Sequence, residues 1–174
     1  MDLLEIMRNR RSVRKYTQKP ISDERIEKIL QAGLLSASSR GIRPWEFILV
    51  RERETLEKMA ACRDGAANML KGAAAAIVVI ADAEKSDVWV EDCAIAMSNM
   101  HLMADALGVG SCWIQGRLRV AAGGGSTEDY LRQLLGFPER FKLEAILSLG
   151  MSEKHPAAYE LDTLLVEKAH EEQF

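Results

Sequence analysis

Arg10-Arg11-Ser12-Val13-Arg14 places three guanidinium groups and a hydroxyl within five residues, at the end of a short N-terminal segment that reads as a helix. From Ile6 to Ser22 the chain carries six cations (Arg8, Arg10, Arg11, Arg14, Lys15, Lys19) and no acid. This +6 segment lies in a chain of net charge −3, so the remainder is about 9 units negative. Planar guanidinium forks and a serine hydroxyl match the oxygens of a phosphate. In an acidic chain such a concentration of charge is a local anion site, suited to a small phosphorylated ligand. A charge run by itself is more commonly a solvated helix end, so the reading depends on what lies downstream.

The elements that must position these residues follow from pattern. Residues 2–9 are spaced as a short helix. Lys19-Pro20-Ile21-Ser22-Asp23-Glu24 starts a second, with Ser22 placed to cap it and Ile26, Ile29, Leu30, Ala32, Gly33 and Leu34 at helical spacing. A polar loop over 36–44 runs into a strand, Trp45–Val50, and 52–62 is a helix. The continuous apolar run 74–81 predicts a strand covered by helices on both faces. The longest helix spans 87–107, with Glu91 and Asp92 in its first turns. Its Met97, Met100 and Met103 stripe suits a core or subunit interface, and His101 reads as a packed or interface histidine. A strand over 109–115, a flexible loop over 123–126, a helix over 127–135 and an imperfectly alternating strand over 141–149 precede an acidic tail. Without repeats or a separating linker, the expectation is one domain over 1–174, of class α+β, with a mixed β-sheet flanked by helices.

Several function classes are disfavoured. A net charge of −3 argues against a nucleic-acid binder, and the apolar run 73–81 is about half the ~20 residues of a membrane helix. Cys62, Cys93 and Cys112 are scattered, and Asp2 and Glu5 stand where a secretory leader needs cations, so a reduced cytoplasmic protein is expected. Gly108-Val109-Gly110 lacks a third glycine at Trp113 and runs from helix into strand, the reverse of a dinucleotide fingerprint. No P-loop, HExxH or G-x-S-x-G is present, and no cysteines and histidines fall at zinc spacing.

Four segments, in order, resemble the nitroreductase family of FMN-dependent oxidoreductases. Arg10-Arg11-Ser12-Val13-Arg14-Lys15-Tyr16 is similar to the family's R-R-S-x-R-x-[FY] motif. The loop from Ala37-Ser38-Ser39-Arg40 through Gly41-Ile42-Arg43-Pro44-Trp45-Glu46-Phe47 is similar to P-S-x-x-N-x-Q-P-W-x-F. The helix from Glu91-Asp92-Cys93 leads into Trp113-Ile114-Gln115-Gly116, and Leu147-Ser148-Leu149-Gly150 ends the set. The resemblance implies that Arg10, Arg11, Ser12 and Arg14 hold the FMN phosphate and ribityl end. It implies that Ser38, Ser39 and Arg40 approach the flavin from the partner of a homodimer, and that Trp113, Ile114 and Gly116 lie along the isoalloxazine. Lys154 is the nearby candidate for a second phosphate-binding cation, since Glu160 stands where Arg is often seen. Gly41 stands where the family commonly has Asn, Arg43 where it has Gln, and Ala37 where it has Pro. Arg40 or Arg43 would stabilise the reduced flavin's negative charge. The implied activity is hydride transfer from NADH or NADPH, then reduction of a nitroaromatic or quinone by a ping-pong scheme. A non-catalytic or specialised FMN binder of the same fold is the alternative.

Overall fold

Eight consecutive buried residues, Ala75–Asp82, form the strand around which the protein is built. In the computed structural model, which describes residues 2–174, the order is α1 (Leu3–Asn9), α2 (Asp23–Leu34), β1 (Trp45–Val50), α3 (Arg53–Met59), β2 (Ala75–Asp82), α4 (Trp89–Ala106), β3 (Gly110–Gln115), α5 (Thr127–Leu135) and β4 (Phe141–Gly150). Successive strand side chains point to opposite faces. Ala75, Ile77, Val79 and Ala81 therefore enter one core, with Ile26 and Ile29 of α2 and Cys93, Ala96, Met97, Met100 and Ala104 of α4. Ala76, Val78 and Ile80 enter a second, with Leu56 and Met59 of α3 and Leu131 of α5. Each fully buried Ile, Leu or Met contributes about 1.5–3 kcal/mol. The expected coverage of both faces is found.

The strand order is β1-β2-β4-β3, and every neighbouring pair is antiparallel. The α+β class holds, but the strand sense corrects the mixed sheet expected from sequence. The parallel pairing found among the described residues is an isolated bridge, Ser12 to Ser111. A continuous apolar run reports burial on both faces, which is the rule for parallel strands, yet here two helical layers bury an antiparallel one equally well. The imperfect alternation of β4 also has a cause. Val79 pairs Ala145 while Ile80 pairs Leu143, so Glu144 is the extra residue of a β-bulge.

Two glycines open a lane for the arginine segment. Gly110 and Gly150 are partners in the β3–β4 register. A Cβ on Gly110 would lie 2.8 Å from Val13, and one on Gly150 would lie 2.5 Å from the Tyr16 ring. Over this lane the chain after α1 is held by Val13 N–H donating to the Ser111 carbonyl (2.9 Å) and Thr17 N–H to that of Met151 (2.7 Å). The Tyr16 hydroxyl donates to the Val13 carbonyl (2.7 Å) and lies 2.8 Å from Ser148 Oγ, and burial raises its pKa, so it remains a donor. Asp2 caps α1 by accepting from Glu5 N–H, and Ser126 caps α5 by accepting from Asp129 N–H. Ser22 occupies the N-cap position of α2 without the side-chain bond its type suggests. After Gly150 the exposed tail turns back along α1, where Tyr159 N–H donates to the Arg8 carbonyl (3.1 Å).

Candidate functional site

The arm between α1 and α2 divides the basic residues among different neighbours. Ser12, Arg14 and Lys154 line one cavity of about 430 Å³ with Val13, Tyr16 and Ser152. This brings together three residues separated by up to 142 positions in sequence, because the arm lies across the end of β4 from which Lys154 follows. Arg10, at the C-cap of α1, instead directs Nη1 to Nε2 of His101 in α4, at 3.0 Å. Arg11 donates to the Ala157 carbonyl and stacks on Tyr159, its guanidinium carbon 4.4 Å from the ring centroid.

A second cavity of about 570 Å³ runs along β3 and is lined by Arg14, Cys112, Trp113, Ile114 and Gln115 on one side and Arg63 and Met69 on the other. β3 is an edge strand. The Ser111 carbonyl receives Val13 N–H, so the alternation of an antiparallel ladder turns the backbone groups of Ser111, Trp113 and Gln115 away from β4 and toward this open edge. The Gln115 carbonyl there accepts from Arg63 (2.7 Å). Gly116 is buried and does not line this wall, and its N–H donates to the Glu144 carbonyl at 3.1 Å. A hydrogen-bond line stands behind the edge. Trp113 Nε1–H donates to Gln115 Oε1 (2.9 Å), and Gln115 Nε2–H reaches Glu144 Oε1 at 3.4 Å. Glu144, 4% exposed on its bulge, is pushed toward the protonated form by burial, and its second carboxyl oxygen has no partner among the described residues.

Ser38, Ser39 and Arg40 lie elsewhere in the chain's own fold. The Ser39 N–H donates to Asp92 Oδ1 (2.8 Å), Ser38 Oγ accepts from Arg43 N–H (2.9 Å), and Arg40 pairs with Asp87 at 3.0 Å. Asp92 is 2% exposed in the first turn of α4 and also accepts from the Ser86 hydroxyl (3.1 Å). Arg40, Gly41 and Arg43 all have left-handed φ, at 53°, 68° and 52°. Two non-glycine residues in that region cost about 1–2 kcal/mol each, so Asp92 holds a strained turn. Asp92 and His101, the anchors of the loop and of Arg10, are nine residues apart on one helix, about 14 Å along its axis.

The nitroreductase family's sequence profile matches residues 7–63 and 59–151. The chain belongs to the nitroreductase family. Among relatives, a provisionally named NADH dehydrogenase/NAD(P)H nitroreductase of Archaeoglobus fulgidus is 40% identical over 170 residues, covering 92% of this chain and 91% of its own. A solved FMN-dependent nitroreductase from Clostridium difficile R20291 is 42% identical, with a TM-score of 0.94 over 99% of this chain and 100% of its own. A provisionally named nitroreductase from Desulfovibrio desulfuricans, solved in complex with FMN, is 28% identical, with a TM-score of 0.78 over 98% and 96%.

In this nitroreductase-family chain, sequence reasoning missed four residues that organise the candidate site. Asp92 reads as a helix-dipole acid and His101 as a packed histidine. Gln115 lies in a quoted segment without being singled out, and Glu144 lies in a strand. Burial of a charged type at a core-facing position is the one signal that Asp92 and Glu144 offer; their partners are 53 and 29 positions away.

Proposed function

We propose that the chain is an FMN-dependent oxidoreductase that takes hydride from NADH or NADPH and reduces a small acceptor, such as a nitroaromatic or quinone, in a ping-pong sequence. The observation that carries this reading is Arg14, which lines both cavities. On one side of it stand cations and hydroxyls, and on the other an aromatic ring and a strand edge. That polarity fits a ligand with a phosphate at one end and a flat heteroaromatic system at the other. Ser12, Arg14 and Lys154 would hold the phosphate, and Arg10 would join them because the arm is extended where Ser12 bridges Ser111, which sets Arg10, Ser12 and Arg14 on one face beside Cys112, while Trp113 and Ile114 would flank the ring.

Bound FMN supplies the redox chemistry, accepting hydride and passing electrons on, so the chain needs no nucleophile or metal of its own. Its residues bind, orient and exclude water. Arg14 would supply a positive fork for the phosphate. The outward-turned backbone N–H groups of Trp113 and Gln115 would supply donors to the flavin ring, and the Gln115–Trp113 bond keeps the indole in one orientation. In the homodimer, Ser38, Ser39 and Arg40 of a second copy would complete the site, since within one chain that loop lines neither cavity. Apolar surface supports this second copy: exposed Leu3 and Leu35 line a groove between α1, α2 and α4, and Leu4 and Met7 of α1 and Leu34 of α2 are exposed as well. Three free, buried thiols support a reducing, cytoplasmic setting.

Anaerobic stopped-flow mixing with NADH and with NADPH tests the reading. The FMN-loaded protein should bleach within the turnover time, and steady-state double-reciprocal plots against acceptor should be parallel. A flavin that stays oxidised with both nucleotides would contradict the oxidoreductase reading and favour a non-catalytic binder.

A further inference from the structure

His101 lies within the hydrophobic core helix α4 with both ring nitrogens engaged. Nε2 is 3.0 Å from Arg10 Nη1, and Nδ1 is 2.6 Å from Ser111 Oγ. A guanidinium only donates hydrogen bonds, so Nε2 must present its lone pair. The proton of a neutral ring is then on Nδ1 and is donated to Ser111 Oγ. Ser111 is itself buried, and its carbonyl receives Val13 N–H from the arginine arm. One strand residue thus fixes the arm's backbone directly and, through His101, the side chain of Arg10.

The choice of a neutral acceptor has a physical consequence. A carboxylate at this position would also orient Arg10, but it would cancel the charge that an anion needs. Contact with solvent would leave the charge intact and the long side chain mobile. An uncharged imidazole takes one of five N–H donors, fixes the plane of the fork and leaves its positive charge and its other donors for a ligand. Burial, reinforced by Arg10, lowers the His101 pKa to about 4, which keeps the ring uncharged at neutral pH.

We propose that His101 is a positioning residue that holds Arg10 in the orientation in which it grips the FMN phosphate. This rests on the flavin reading above and adds to it a residue outside the arginine motif. It also makes the effect specific to the phosphate end of the cofactor. Riboflavin, which has the same ring and ribityl chain without phosphate, serves as the control.

The test is titration of FMN and of riboflavin into wild-type protein, His101→Leu and His101→Gln, each followed by flavin fluorescence quenching. Leu fills the space and removes the acceptor, while the Gln amide oxygen restores an uncharged acceptor. His101→Leu should weaken FMN binding about tenfold or more, leave riboflavin affinity unchanged, and be rescued largely by Gln. Equal losses for both flavins, or none for FMN, would refute the positioning role while leaving the flavin reading intact. Binding of neither flavin by the wild-type protein would overturn both. Should His101→Leu fail to fold, Ser111→Ala decides: removing the Nδ1 partner that orients the ring should weaken FMN binding severalfold and leave riboflavin affinity unchanged, and an equal loss for both flavins or no loss for FMN would refute the positioning role.

Discussion

Arg14 is the side chain on which both cavities meet, and its replacement should be felt in binding more than in folding. It is exposed in the protomer, so Arg14→Ala should leave the urea midpoint nearly unchanged. Loss of charge-assisted hydrogen bonds of about 1.5–3 kcal/mol should weaken FMN binding roughly 10- to 150-fold, read by fluorescence titration. Arg14→Lys should recover only part, because a point charge does not reproduce a fork. His101 gives a second, independent outcome. Its folded pKa of about 4 lies below the usual 6.5, owing to burial and then Arg10, so the unfolded chain binds the extra proton between those values. Stability is therefore fully present above about pH 6.5 and declines toward pH 4, by about 3 kcal/mol in all. His101→Gln should flatten that part of the profile in urea melts at pH 7 and pH 4.5. At this scale the sequence was legible where neighbours are local: three arginines and a serine in five residues mark a candidate anion site, and Ser12 and Arg14 of that run line one cavity with Lys154. It was silent where chemistry is made by folding, because nothing near His101 tells that its partners are 91 and 10 residues away.

At the scale of elements, every α-helix and strand was visible in the sequence pattern to within a few residues, because burial on one or two faces leaves a regular trace in all but the exposed α1, whereas the short 3-10 turns left none. Strand sense left none, since an apolar run is the same in either direction, and the antiparallel sheet had to come from pairing. The Glu144 bulge did leave a trace, as broken alternation in 141–149, but that cannot be distinguished from a weak strand without the register. The glycine lane under the arginine arm is a property of two strands at once. Gly150→Ala should push the new methyl into the Tyr16 ring, cost about 1–3 kcal/mol by overpacking, and loosen the arm, so that chemical stability and FMN affinity fall together. The turn carrying Ser38, Ser39 and Arg40 depends on a single buried carboxylate in another element. Asp92→Ala removes the acceptor for Ser39 N–H and the Ser86 hydroxyl. It should accelerate amide exchange over 38–43 and lower turnover while leaving the affinity for FMN phosphate nearly intact. The Gly41 departure from the family's common Asn is explained here, since a φ of 68° is one both residues tolerate.

At the scale of the whole molecule, the anchors of Arg10 and of the Ser38–Arg40 loop stand about 14 Å apart along α4, and the proposed second copy would bring that loop to a cavity it does not line within its own chain. Leu35, 86% exposed beside the α1–α2–α4 groove, is the position to test. Leu35→Glu should leave the protomer folded, because the side chain packs against little within one chain. It should shift light scattering to the monomer mass and reduce flavin retention. The account as a whole rests on the arginine arm and the β3 edge forming one cofactor site, and the most direct measurement is a stoichiometric titration of flavin-free protein with FMN, beside the Arg10→Ala/Arg14→Ala double variant. The wild-type protein should quench FMN fluorescence to an end point of about one FMN per chain, and the double variant should require at least a hundredfold more. An unquenched wild-type titration, or identical curves for the two proteins, would contradict the account.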